Sequence, residues 1–378
     1  MGQRKRGPGP EHDRVGVPGF FATTLPGLGG LLREEIDAAG DLDAGGEPGH
    51  DGRADIVFFG IRRGARPDLS ALRLAEDVFV TLAESGTGPP KRVADSLVTR
   101  SDLERGLSAW TRFARHLSSA MTYRVIARVI DERRFKRTEL RAAVTSTVAA
   151  HRPRWRVGDP ADLELWVLEY QRGRFVAGLR LSGKRMRQHG SGRPAERKGA
   201  LRPVVAAAMV RLAGGPRGRV LDPCCGSGTI LAEVFSAGWE AVGSDLDPEA
   251  VAIARQNVPG AVVDQGDVLE LPHADAIFDA VVSNLPFGRQ FRIEEPARWL
   301  RRALAEMARV TRPGGRVVVL VPPPVPRGVS GLDLAGTYPL RLLGVSTRVW
   351  VFERDHLRIA SVPEHDPCPG QGTAAAHS

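Results

Sequence analysis

Three short loops, each behind a strand-like run, hold the residues of this 378-residue chain whose types and spacing could do chemistry. The first is Asp222-Pro-Cys-Cys-Gly-Ser-Gly-Thr229. Gly226 and Gly228 allow a tight turn with backbone close to a ligand, and the helix expected behind them offers free N-terminal amides. No Lys-Ser/Thr pair follows, so the loop is not a P-loop, and Leu231 stands where a GxGxxG fingerprint needs its third glycine. The second loop is Gly243-Ser-Asp245-Leu-Asp247. A carboxylate at the end of a second strand can accept both hydroxyl protons of a ribose; Asp245 takes that role, and Asp247 caps a helix starting at Pro248. The third is Ser283-Asn284-Leu285-Pro286-Phe287-Gly288. Standing alone it would read as a strand followed by an ordinary Asn-x-Pro turn.

These loops fall in a region of strict alternation. A helix over 201–212 leads into strands over 219–221, 241–244, 261–264, 280–283 and 316–321, with helices over 229–236, 248–257 and 299–310, and a terminal hairpin within 340–352. That rhythm predicts an α/β domain with a doubly wound, mostly parallel sheet. Ligands of such sheets lie beyond the carboxyl ends of the strands, where the three loops are.

The first half reads differently. A strand near Phe20, a helix ending at Gly40, a strand over 55–59, a helix over 69–74 and alternation over 76–82 make a small α+β unit. A second begins near Ser101, whose Ser-Asp-Leu-Glu resembles a capping box. It continues with a strand over 123–129, a helix over 136–151 and two strands over 163–170 and 174–181. The expected division is a basic tail over 1–15, domains over 16–100 and 101–185, a linker over 186–200, a catalytic domain over 201–360 and a tail over 361–378, both tails disordered.

Charge separates the halves. Residues 1–200 hold 35 Lys+Arg against 25 Asp+Glu, whereas 201–378 hold 18 against 19. From Arg124 to Lys198 the balance is 19 basic to 8 acidic. A local positive field is what a polyanion needs, because Lys/Arg contacts to phosphates release counterions; a solvated arginine-rich surface is the alternative. Arg133, Arg134, Lys136, Arg137, Lys184, Arg185 and Arg187 are the candidate RNA contacts. Trp110, Trp155 and Trp166 in this half read as core. Three cysteines, two of them the neighbours Cys224 and Cys225, make neither a disulfide framework nor a zinc set. No apolar run is long enough to cross a bilayer. The reading is of a cytoplasmic monomer without a metal. His189 and His273 have no evident partner.

The segment Val220 to Glu233, VLDPCCGSGTILAE, resembles the first motif of class I RNA methyltransferases. That resemblance implies S-adenosylmethionine as cofactor, its amino-acid end held by Asp222 and the loop of Cys224, Gly226, Ser227, Gly228 and Thr229. It implies the ribose at Asp245 with Leu246 beside it, and the adenine amine at Asp267 with Val268. Asn284-Leu-Pro-Phe resembles the Asn/Asp-Pro-Pro-Tyr/Phe motif of enzymes that methylate planar amines. The amine of a base is a poor nucleophile because its lone pair is delocalised. The Asn284 side-chain oxygen and the Leu285 carbonyl can hold its two N–H groups and aim the lone pair at the methyl, with Asn284 also next to the cofactor. Pro286 stiffens the loop, and Phe287 can stack on an extruded base. Leu285 departs from the usual proline and is similar to the branch of guanine-N2 methyltransferases joined to a THUMP domain. The first half would then be a ferredoxin-like piece and a THUMP RNA-binding domain, and Arg193-Pro194 with Gly199 to Pro203 would lead into the catalytic domain. The expected activity is methylation of a guanine N2, in tRNA first, with large-subunit rRNA or adenine-N6 as alternatives. A non-catalytic RNA-binding protein with a relic fold is the alternative of another class.

Overall fold

A computed structural model describes residues 19–114, 120–187, 189, 200–214, 218–286, 294–325, 328–342 and 345–355. The N-terminal half runs β1 (Phe20–Thr24), α1 (Gly29–Ala38), β2 (Leu42–His50), β3 (Asp55–Ile61), β4 (Asp77–Ser85), α2 (Pro90–Leu97), α3 (Arg100–Phe113), β5 (Thr122–Arg128), α4 (Arg137–His151), β6 (Arg156–Val157), β7 (Leu163–Gln171) and β8 (Arg174–Arg180). Its strands join in one sheet ordered β2-β3-β1-β4-β8-β7-β5-β6. Pairing is antiparallel except that β5 runs parallel to both β6 and β7.

The boundary expected near residue 100 does not interrupt this sheet. β4 pairs with β8, from Phe79 opposite Arg180 to Ser85 opposite Phe175. Val78, Phe79 and Val80 are fully buried, and an open β4 edge would leave such a strand ready to pair with another chain. Several elements differ from the pattern in the sequence, the unanticipated α2 and the two-residue β6 among them. β2, with three glycines and a proline in LDAGGEPGH, has no alternation of its own and is a strand because β3 pairs with it. The helix expected over 69–74 is a single 3₁₀ turn, Leu69–Ala71, since Asp68 caps it and Leu72 is already extended. The cap of α3 is Thr99 rather than Ser101: the Asp102 amide donates to Thr99 Oγ1 at 3.1 Å, and Ser101 lies inside the first turn.

The short α5 (Lys184–Arg187) and α6 (Pro203–Ala213) precede the second sheet. There follow β9 (Arg219–Asp222), α7 (Thr229–Ser236), β10 (Glu240–Asp245), α8 (Pro248–Asn257), β11 (Val262–Gln265), β12 (Phe278–Asn284), α9 (Pro296–Val310), β13 (Thr311–Val321), β14 (Leu332–Leu342) and β15 (Val345–Arg354). The order is β11-β10-β9-β12-β13-β15-β14, parallel except for β15, which runs antiparallel to β13 and β14. This is the expected doubly wound sheet with its terminal hairpin. From β9 the chain winds first toward β11 and then back toward β13, so a crevice opens at the ends of β9 and β12. α6 is buried on nearly every side, as its VVAAAMV run requires. One apolar cluster continues across both sheets, from Phe20 to Val351. No helix among the described residues is long and apolar enough to cross a membrane.

Candidate active site

Asp222 ends β9 and is 1% exposed. Its Oδ1 accepts the Cys224 amide at 3.2 Å and the Ser283 hydroxyl at 2.7 Å. The loop behind it is fixed at both ends: Cys225 N–H donates to the Ser244 carbonyl at 2.9 Å, and Gly228 N–H to the Cys225 carbonyl at 2.8 Å. Gly226 and Gly228 have φ of +52° and +82°, which other residues adopt only with strain. A Cβ on Gly226 would meet nothing within 4 Å, so the turn faces open space where a ligand can lie against its backbone. Behind the turn Leu231 takes the room a third glycine would leave, and the space comes from the neighbouring strand instead: a Cβ on Gly243 would lie 2.6 Å from Leu231 Cδ1.

Asp245 closes the same turn from β10. Its Oδ2 accepts the Gly226 amide at 2.8 Å and its Oδ1 the Asp247 amide at 3.0 Å, so the end of β10 and the glycine loop are held together. Asp247 caps α8, accepting the Glu249 amide at 2.9 Å. Leu246 is 68% exposed at the rim. Asp267 is exposed and its Oδ1 accepts the Leu269 amide at 2.9 Å, with Val268 buried beside it. Ser227 and Thr229 are buried, and the Ser227 carbonyl accepts Asn257 Nδ2 at 2.9 Å.

Asn284 ends β12, its backbone in register with Leu320 of β13. Its Oδ1 is buried and has no hydrogen-bond partner among the described residues, as has Ser244 Oγ. A buried acceptor without a donor is costly, and it fits a ligand that brings one. The Leu285 side chain is buried in the apolar layer with Leu300 and Leu304 of α9, which accounts for leucine in place of proline. Pro286 follows; Phe287 lies outside the described residues.

Burial, with the nearby Asp245 charge, pushes the Asp222 carboxyl up to about 7 against its bonds to Ser283 and Cys224. Burial, then the Asp222 and Asp245 charges, push both thiols, Cys224 and Cys225, above their ordinary value. They are packing groups under the loop rather than nucleophiles. Glycine turn, paired carboxylates and orphaned acceptors fit S-adenosylmethionine laid across the ends of β9, β10 and β12.

On the other half a cavity of about 730 Å³ opens beside β5 and the start of α4. Arg53, Arg124, Arg128, Arg137 and Arg141 line it, with Trp166 in its wall and Asp51, Glu132 and Asp159 as counter-charges. Arg128 lies 4.7 Å over the Trp166 ring and 3.0 Å from the shielded Asp51. Arg137 thus belongs to the cavity. Arg133 is 93% exposed, Arg134 donates to Thr87 Oγ1 at 3.0 Å, and Lys136 begins α4 with its amide on Glu139. Arg187 leans toward Asp77 at 3.9 Å. The side chains of Lys184 and Arg185 lie outside the described residues. Trp110, Trp155 and Trp166 are buried, as expected.

Four residues that the sequence left unassigned turn out to be connected. Ser283 links two of the loops. Glu233 of α7, 5% exposed, receives Arg73 from the N-terminal half through two nitrogens and lies 2.8 Å from His189 Nδ1. His189 therefore has a partner, contrary to expectation, because that partner is 44 positions away; no spacing rule reaches so far.

Fold and site together have the form of a class I methyltransferase domain, a class that uses S-adenosylmethionine. Residues 191–323 match the family described as RMKL-like, methyltransferase domain, and this part of the chain is such a domain. Across 120 residues, 30% of this chain and 51% of the other, it is 38% identical to a demethylmenaquinone methyltransferase of Thermus thermophilus. Across 157 residues, 39% of this chain and 30% of the other, it is 35% identical to the U6 snRNA (guanine-N(2))-methyltransferase THUMPD2 of Bos taurus. The chain thus spans about half the length of the first of these curated relatives and under a third of the second. The crystal structure of TrmN from Thermus thermophilus matches with a TM-score of 0.70 and 26% identity, covering 89% of this chain and 99% of that one. The resemblance to THUMP-linked class I RNA methyltransferases is borne out by these matches.

Proposed function

We propose that this protein methylates the exocyclic N2 amine of a guanine turned out of a structured RNA, tRNA in the first place. The observation that carries the reading is the buried Asn284 Oδ1, without a hydrogen-bond partner among the described residues, next to the Ser283 that bonds Asp222. When bound, S-adenosylmethionine supplies an electrophilic methyl on a sulfonium. Asn284 Oδ1 and the Leu285 carbonyl accept the two N–H groups of the amine and aim its lone pair. The bound cofactor would supply the methyl group to the aimed nitrogen and leave as its neutral thioether, and the acidified nitrogen would give one proton to solvent, so no strong base is needed. Asp222 would hold the positive end of the cofactor and Asp245 its ribose. Asp267 retains one carboxylate oxygen for the adenine amine.

Residues 201–360 would do the chemistry and the preceding half would hold the RNA. The arginine-lined cavity supports that division, with Arg137 among its lining residues. So do the guanine-N2 activity in the name of the Bos taurus relative and the near full-length likeness to TrmN. We take the enzyme to be a cytoplasmic monomer that needs no metal. The test is incubation with labelled S-adenosylmethionine and total tRNA or rRNA, followed by digestion and identification of the nucleoside by mass. N2-methylguanosine from tRNA supports the reading. Label in rRNA or in N6-methyladenosine moves the substrate, and label in no RNA overturns it.

A further inference from the structure

The hydrogen bond between Ser283 and Asp222 joins the two loops whose tasks must coincide. Ser283 is fully buried, and its hydroxyl donates to Asp222 Oδ1 at 2.7 Å. The next residue is Asn284, whose Oδ1 has no donor among the described residues. The Asn284 backbone is tied on its other side to β13. A shift of the β12 end is therefore governed by the ladders to β13 and β9 and by the bond to Asp222.

Asp222 is the attachment that can respond to the cofactor. Among the described residues the groups facing it are Asp245 from the end of β10 and the thiols of Cys224 and Cys225, none of them positive. Both of its bonds come from neutral donors. A buried carboxylate so placed is costly until a cation arrives, and the sulfonium and ammonium of the methyl donor supply positive charge.

Resting on the function proposed above, we propose that Ser283 is a positioning residue of the methyl-transfer site: its hydroxyl, seated on Asp222, transmits occupancy of the cofactor's amino-acid site to the Asn284 carboxamide. Once the cofactor fixes Asp222 as a carboxylate, Oδ1 becomes a charged acceptor and its bond from Ser283 strengthens. The β12 end is then held firmly, and the amine acceptor is set only when a methyl group is there to be transferred. Without the cofactor, about half of Asp222 is neutral near pH 7, because burial pushes its carboxyl up to about that value. The bond is then weaker and Asn284 less strictly held.

The experiment uses the full chain, with cofactor binding by calorimetry between pH 5.5 and 9 and methyl transfer to tRNA under saturating cofactor. Ser283→Ala is expected to lower kcat by about 10- to 100-fold, the scale of a small misplacement of a reacting group, while cofactor affinity at high pH changes by less than about 3-fold. It should also move the acidic limb of cofactor binding upward by about half a pH unit, because Asp222 loses a donor to its charged form. Ser283→Thr, which keeps the hydroxyl, should restore both. In an Asp222→Asn background Ser283→Ala should cost little more, since the two act through one bond. If the limb stays in place and the two substitutions add, Ser283 is only a packing residue and the inference falls. A parent protein that binds no cofactor at any pH would overturn the methyltransferase reading itself. A parent that methylates RNA with Ser283→Ala unaltered would overturn only this step.

Discussion

Arg73 and Glu233 lie 160 positions apart, yet the Nε and Nη2 of one reach both carboxylate oxygens of the other at 2.9–3.0 Å. The loop carrying Arg73 is itself fixed, since the amides of Arg73 and Leu74 donate to Glu35 at 2.9 Å. Glu233 sits on the helix that follows the glycine loop, so the N-terminal half is clamped to that helix. Arg73→Ala leaves a shielded carboxylate with His189 alone, and removal of one partner from a buried pair costs about 3 kcal/mol. We expect a clearly lower thermal midpoint, partly recovered in Arg73→Ala/Glu233→Gln. An unchanged midpoint would mean that the pair clamps nothing.

Removal of the amine acceptor should separate binding from chemistry. Asn284→Ala is expected to retain cofactor binding within about 3-fold and to lower methyl transfer by about 100-fold or more, in line with loss of one aligned polar contact in a transition state. The check is single-turnover transfer of labelled methyl to tRNA. A variant as fast as the parent would remove Asn284 from the mechanism.

The raised Asp222 carboxyl fixes the sign of two pH effects. Its folded value of about 7 lies above the value of about 3.9 in an unfolded chain. Between those pH values the folded protein binds a proton that the unfolded chain has lost. Stability of the cofactor-free protein therefore falls as pH rises from about 4 to about 7 and then levels off. Affinity for the cationic cofactor runs the other way and rises through about pH 7 as the carboxylate forms. Asp222→Asn should flatten the stability slope and weaken cofactor binding at pH 8. Denaturation midpoints and calorimetric titrations across the range report both.

The arginine cavity gives an ionic-strength test. Arg53 and Arg141 are exposed and line the cavity, whereas Arg128 is committed to Asp51 and Trp166. Arg53→Ala and Arg141→Ala should each weaken binding to any tRNA and reduce the slope of log affinity against log salt by about one. Loss of affinity with an unchanged slope would argue that neither touches a phosphate.

Much of the catalytic half was legible in the sequence because its signals are local. The boundaries of α7 and α8 follow from Gly228, Asp247 and Pro248, and the loops at Asp222, Asp245 and Asn284 stand where β/α alternation puts them. The N-terminal half was less so. β2 owes its extended form to β3, and the sheet is continuous because β4 meets β8 across some hundred positions, a pairing that no periodicity announces. The same reason hid Ser283 and Glu233: serine and glutamate become informative only beside Asp222 and Arg73.

The exchange of bulk between Leu231 and Gly243 has an evolutionary corollary. The helix and the strand approach each other at one spot, and one of the two positions must be empty there. A relative with glycine at the helical position is free to carry a side chain on the strand, whereas a single change at Gly243 in this chain meets Leu231 at once. The two positions should covary, and the familiar glycine fingerprint is then one of two ways of writing the same contact.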